Sequence, residues 1–218
     1  MGNLPEWMQL FITQLKETDW LQWVGLVLGV SEVLLARANK IALYPAGIAA
    51  TAISIYVLWT SGLFAECLLS AYYIVMSVYG WWYWIKKKNL PKVKVSYSTQ
   101  KEWGIVAAIA LGGYVILFFI LKYFTPSTVP HWDAWVSSTA WAGMWLLARR
   151  KIENWILLNI SNLFAIPLLF HKQLPLYGCL TIFLFLVAIQ GYFSWRKTIR
   201  QEAASGKKTT TFTAVAAQ

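Results

Sequence analysis

Seven stretches of the chain are apolar over about the 20 residues that a helix needs to cross a bilayer. They cover 19–36, 41–60, 63–85, 103–124, 132–148, 152–171 and 174–195, each bounded by charge, proline or glycine. Ten-residue runs of alternating apolar and polar positions, the mark of a membrane barrel, do not occur. The pattern therefore predicts an all-α membrane protein with seven transmembrane helices. Ahead of the first span, Leu4, Trp7, Met8, Phe11, Ile12 and Leu15 fall on one helical face, so 1–18 reads as an amphipathic helix lying in the interface. No basic leader precedes a short apolar run there, and no cleavable signal peptide is expected. Beyond 197 the chain is small and polar, and 198–218 reads as a disordered tail.

Composition strengthens this reading. The 218 residues are 58% apolar, 17% aromatic and 13% charged. A soluble domain carries about 25% charged residues, so an ordinary soluble enzyme is excluded. Intrinsic disorder, which needs low hydrophobicity and high charge, is excluded as well.

The net charge of +10 suggests nucleic acid until its placement is considered. On one side of the spans stand Lys16, Lys122 and Lys172. The other side carries the remaining 16 of the 19 basic residues, in clusters at 37–40, 86–101, 149–151 and 196–208. The positive-inside rule puts the richer side in the cytoplasm, the N-terminus outside and the C-terminus inside. The charge marks topology and contact with the lipid bilayer, and no nucleic-acid partner is expected.

The chain also repeats itself. At an offset of 112, Trp20, Trp23 and Val24 match Trp132, Trp135 and Val136, and 34–37 (Leu-Leu-Ala-Arg) matches 146–149. Cys67 matches Cys179 at the same offset, after which Gly80, Trp84 and Lys86 match Gly191, Trp195 and Lys197 at 111. Spans 1–3 thus recur as spans 5–7. Three spans reverse the chain, so a linker span is required before the second unit can start on the same face. This gives a three-helix repeat at 19–86, a basic cytoplasmic loop and linker helix at 87–124, and a second, parallel repeat at 132–197. Transporters built this way hold substrate near the midplane, where the repeats meet.

Local motifs then carry a resemblance. Tyr79-Gly80-Trp81 with Trp84 closes span 3, Trp132-Asp133 opens span 5, and Arg149 followed by Glu153-Asn154-Trp155 opens span 6, with Asn162 further on. Over 20–197 the chain resembles the PnuC family of bacterial vitamin transporters, and its plan is similar to the SWEET-like fold. The family pattern usually has a second Trp three residues after the first; here that position is Leu158. The resemblance implies a protein of the bacterial inner membrane that takes up a small aromatic vitamin, by default nicotinamide riboside. It further implies facilitated diffusion with alternating access, a cytoplasmic kinase that traps the product, and a homo-oligomer, a trimer in relatives. Thiamine, carried by close relatives of the family, stays open as a second substrate.

The candidate site residues follow from span polarity. Trp155, Asn159 and Asn162 share a face of span 6, and a buried amide in hydrocarbon must find partners, from substrate or from a neighbouring helix. Asn154 joins them through the motif. Glu32 is the one carboxylate well inside a span, suited to attract the fixed positive charge of nicotinamide riboside or thiamine. Tyr72 and Tyr79 share a face of span 3 with Met76, and Tyr73 lies beside it. Gln190 is the repeat mate of Tyr79. Such aromatic faces suit a flat cationic ring, and ordinary packing is the alternative at each position.

Other features have structural readings. Trp81, Trp82 and Trp84 read as an interfacial belt, Asp133 as a cap, Glu153 as a charge favourable to a helix N-terminus, and Pro45 and Pro167 as kinks. Cys67 and Cys179 suggest neither disulfide nor metal site, and no metal or cofactor is expected. An intramembrane enzyme would need a nucleophile with a base, or metal ligands, inside the spans, and these are missing. No phosphate-binding Gly-rich motif for primary pumping appears. A membrane protein without a transport role remains the other alternative.

Overall fold

The computed structural model describes residues 5–60, 64–86 and 94–215. Leu4 of the amphipathic face and Lys87, Lys88 and Lys92 of the basic loop lie outside them. The helices are α1 (Glu6–Glu17), α2 (Trp20–Arg37), α3 (Leu43–Thr60), α4 (Phe64–Lys86), α5 (Gln100–Phe124), α6 (Pro130–Ala148), α7 (Asn154–His171) and α8 (Pro175–Val215).

Helices α2, α3 and α4 pack in sequence, as do α6, α7 and α8. The two triplets meet where α2 touches α8 and α4 touches α6. Helix α5 lies outside, against α6, and α1 lies against α8. Large apolar side chains cover the exterior, among them Val27, Leu111 and Phe124, as expected of a bundle solvated by lipid.

Five helices, α2, α3, α5, α7 and α8, are long and apolar enough over their described residues to cross a membrane. Helices α4 and α6, which the hydropathy pattern counts as spans, fall short of that measure. In α6 the reason is chemical: four Trp, Asp133, Ser137, Ser138 and Thr139 dilute its apolarity. Those polar residues are tolerable because α6 is an inner helix, with Ser138, Thr139, Ala142 and Gly143 buried.

Helix α1 is amphipathic as expected and buries no residue. Gln14 fastens it to the α7–α8 turn by donating to the Gln173 carbonyl (2.8 Å) and accepting from the Leu176 amide (3.1 Å). At the other end the expectation of a disordered tail fails, because α8 continues for 41 residues to Val215. No proline follows Pro175, and residues 196–204 are mostly Arg, Lys, Gln, Glu and Ala, which favour helix. Pro45 falls in the first turn of α3, where no intrahelical bond is lost, and so makes no kink; Pro167 is inside α7.

The structure also moves the register shift of the repeat. Helices α3 and α7 each have 18 residues and begin 111 apart, and α4 and α8 begin 111 apart. The offset is already 111 within α2 and α6, whose closing turns at Asn39 (φ 54°) and Arg150 (φ 56°) lie in the left-handed region. Lys40 N–H then bonds to Leu35 O, and Lys151 N–H to Leu146 O, each at 2.9 Å. Cys67 is accordingly the counterpart of Gly178, and its match with Cys179 is coincidental. Asn tolerates this conformation, whereas Arg150 bears a cost of about 1–3 kcal/mol. Its guanidinium lies 3.6 Å over the Trp84 ring, which holds the turn in place.

Candidate functional site: a carboxylate between the two triplets

Where the triplets meet, they enclose a cavity of about 180 Å³. Helix α2 contributes Glu32, α3 Thr51, α4 Tyr73, α6 Met144, and α7 Trp155 and Leu158. The Glu32 carboxylate rests directly on Gly47 of α3, where an added Cβ would collide with its oxygens. Among the described residues no hydrogen bond or ion pair engages that carboxylate. An acid so placed in hydrocarbon is stable only with a counter-charge, water or a proton. At the same offset of 111, Gly143 stands in the second triplet where Glu32 does and Leu158 where Gly47 does, and Leu158 lies against Gly143. The pseudo-symmetry is thus broken at the cavity, with acid and space on one side and apolar bulk on the other.

A second chamber of about 560 Å³ lies between α2, α3 and α8. Glu32, Val33 and Thr51 line both chambers.

Aromatic packing closes the inner cavity on the side of residues 94–99. Trp84 Nε1 donates to the Ala148 carbonyl and Trp195 Nε1 to the Ala36 carbonyl, each at 3.0 Å. Tyr44 meets Trp84 edge-on with ring centroids 5.1 Å apart, and Trp155 meets Trp195 in the same way at 5.6 Å. Gly80 and Gly191 make this closeness possible, since a Cβ at either would run into the Tyr44 or Trp155 ring.

Beneath this layer residues 94–99 form a strap. Val95 is buried among Trp84, Ile152 and Trp155. Ser96 bonds to the Arg150 carbonyl and to Ile152 N–H. Glu153 accepts from Ser98 N–H at 3.0 Å and from the Ser98 hydroxyl at 2.8 Å, so its role is to hold the strap. Glu102 forms a capping box with Thr99 and ion pairs with Lys151 (3.0 Å) and Arg149 (3.6 Å). Arg149 donates to the Tyr79 hydroxyl (3.4 Å), and this bond raises the guanidinium pKa above its ordinary value.

Of the site residues expected from sequence, the structure brings Glu32 and Trp155 into the inner cavity and leaves the others elsewhere. Tyr72 faces α6, where its hydroxyl donates to the Trp141 carbonyl (3.0 Å) and its ring stacks on Trp141 at 4.4 Å. Tyr73, one residue on, lines the cavity instead. Tyr79 belongs to the Arg149 cluster. Asn154 is fully buried, and its amide donates to the Lys151 carbonyl at 2.6 Å, closing the turn that starts α7. Asn159 faces a groove between α7 and α8. Asn162 borders neither chamber, and Gln190 is exposed on the exterior.

Thr51, Tyr73 and Met144 were missed by sequence reasoning. Spacing cannot choose between Tyr72 and Tyr73, which differ by about 100° around a helix. Asp133, expected as a cap, instead binds Lys172 (2.6 Å) and the Ser127 hydroxyl (2.5 Å).

A helical bundle with an apolar exterior and several helices long and apolar enough to span a bilayer is a multi-pass membrane protein. The chain belongs to the nicotinamide mononucleotide transporter family, whose model matches residues 19–197, and this is a family of transporters and not of enzymes. One relative is the nicotinamide riboside transporter PnuC of Escherichia coli strain K12, 20% identical over 214 residues, covering 86% of this chain and 90% of the relative. The nicotinamide riboside transporter PnuC of Neisseria mucosa is 25% identical over 209 residues, covering 90% and 79%. A crystal structure described as that of the vitamin B3 transporter PnuC shares the fold, with a TM-score of 0.67 and 22% identity, covering 92% of this chain and 95% of that one.

Proposed function

We propose that this protein carries nicotinamide riboside across the bacterial inner membrane by facilitated diffusion, with α2–α8 as seven spans in a three, one and three arrangement. The observation that carries the reading is the uncompensated Glu32 carboxylate in a cavity walled by Trp155 and Tyr73. Nicotinamide riboside is a flat aromatic cation. A carboxylate gives it a counter-charge, and an aromatic wall adds about 0.5–2 kcal/mol by cation–π attraction. Family membership and the names of the relatives supply the substrate class.

In this reading the N-terminus is outside and residues 94–99 lie in the cytoplasm, so the Trp84 and Trp195 layer is the closed inner gate. Alternating access rocks one triplet against the other, and a cytoplasmic kinase keeps uptake downhill. Assembly as a homo-oligomer, a trimer, completes the proposal.

A second reading, thiamine, is favoured by one observation. Leu158, where the family usually has Trp, leaves more of the cavity to the ligand beside a carboxylate able to pair with an aminopyrimidine. A tryptophan-fluorescence titration of purified protein with the two vitamins side by side tests both. Saturable quenching by nicotinamide riboside supports the first reading, and a response to thiamine alone replaces it with the second. Silence from both removes the vitamin assignment.

A further inference from the structure

The inner cavity, at about 180 Å³, is smaller than the 300–1,000 Å³ typical of small-molecule sites. The chamber of about 560 Å³ shares Glu32, Val33 and Thr51 with it. That outer chamber extends from Gln22, near the start of α2, to Glu32. Ten residues of helix make this about 15 Å. Its walls carry polar groups at Gln22, Thr51, Ser54 and Tyr177.

The middle of α2 leaves room for this chamber. Gly29 faces open space, with no heavy atom within 4 Å of an added Cβ.

We propose that the chamber between α2, α3 and α8 is an antechamber, an outer binding station for organic cations, which passes them to the inner cavity around the Glu32 carboxylate. Glu32 belongs to both compartments, so a cation keeps the same counter-charge as it moves inward. Only Glu32, Val33 and Thr51 need yield for the compartments to join, and the joined volume falls in the range of a vitamin-sized site. The antechamber rests on the orientation given under Proposed function, while its labelling test requires no transported vitamin.

The test places a cysteine at Gly29 in a chain whose Cys67 and Cys179 are replaced by alanine, in right-side-out membrane vesicles at pH 8. A membrane-impermeant cationic methanethiosulfonate should modify Gly29→Cys from outside, and should leave Val27→Cys, on the lipid-facing side of the same helix, unmodified. Adding Glu32→Gln should lower the preference for the cationic over an anionic reagent by about tenfold. No modification from outside, modification from the cytoplasmic face alone, or a preference indifferent to Glu32→Gln each overturns the proposal.

A second arm uses the otherwise native chain. Gly29→Trp, which fills the open space beside Gly29 with an indole, should abolish uptake of the vitamin that the native protein carries, while Val27→Trp should not. A folded Gly29→Trp protein that transports at the native rate overturns the antechamber. If the native chain carries neither nicotinamide riboside nor thiamine, the vitamin assignment fails and the labelling arm still decides the antechamber.

Discussion

Trp84 of α4 and Trp195 of α8 each donate an indole N–H across the divide, to Ala148 and Ala36 respectively, at the same 3.0 Å. Each triplet therefore supplies one donor and one acceptor, the donors 111 residues apart and the acceptors 112. Every residue involved is buried, so the bonds form away from solvent. An alternating-access cycle that separates the triplets at this end must break both.

Replacing either indole with phenylalanine keeps most of the ring packing and leaves a buried carbonyl unmet. Trp84→Phe and Trp195→Phe should each destabilise the protein by about 1–3 kcal/mol. Thermal unfolding in detergent should show similar losses for the two, because their surroundings correspond.

The two close-packed glycines should tolerate no methyl group. Gly80→Ala and Gly191→Ala drive a Cβ into the rings of Tyr44 and Trp155 and should cost about 1–3 kcal/mol by overpacking. Gly112→Ala, whose Cβ meets nothing within 4 Å, should be neutral or stabilising. Melting temperatures of the three variants check this.

Glu32→Gln keeps the shape of the side chain and removes its charge. Affinity for the cationic vitamin should fall about tenfold, or about 1.4 kcal/mol, in calorimetric titration. Gly47→Ala should act in the same direction by displacing the carboxylate. Unchanged affinity in a folded Glu32→Gln protein would remove this residue from the site.

Tyr72→Phe separates packing from binding. It deletes the bond to the Trp141 carbonyl while keeping the stacked ring, and should cost about 1 kcal/mol of stability with vitamin affinity unaltered. A large loss of affinity with native stability would return Tyr72 to the site.

Glu153→Ala should release the strap. Ser98 loses both of its bonds to the carboxylate, so amide hydrogen exchange over 94–99 should accelerate. The amides in the middle of α7 should exchange as before.

Much of the architecture was legible in the chain because it depends on period and chemistry. Apolar runs of bilayer length gave helical spans, and the amphipathic face gave α1. Repeat identities such as Trp84 with Trp195 correctly announced equivalent positions. The exact register was not legible, because turns such as those at Asn39 and Arg150 conserve backbone geometry more than residue type. The end of order in α8 was missed because polar residues that favour helix resemble a disordered tail in composition.

What the sequence determined by itself is the helical membrane class, the internal repeat, the family resemblance, and Glu32 and Trp155 as candidates, both of which line the inner cavity. A lone acid in hydrocarbon and a motif tryptophan are unusual wherever they occur. Only the tertiary structure decided which face of each helix meets the cavity. It chose Tyr73 over Tyr72, set Asn154 into a turn and Gln190 onto the exterior, and placed Gly47 beneath the carboxylate. The reason is that a residue's direction around a helix is set by the helix's rotation against its neighbours. That rotation depends on the volumes of many side chains packed together, and no local pattern records it.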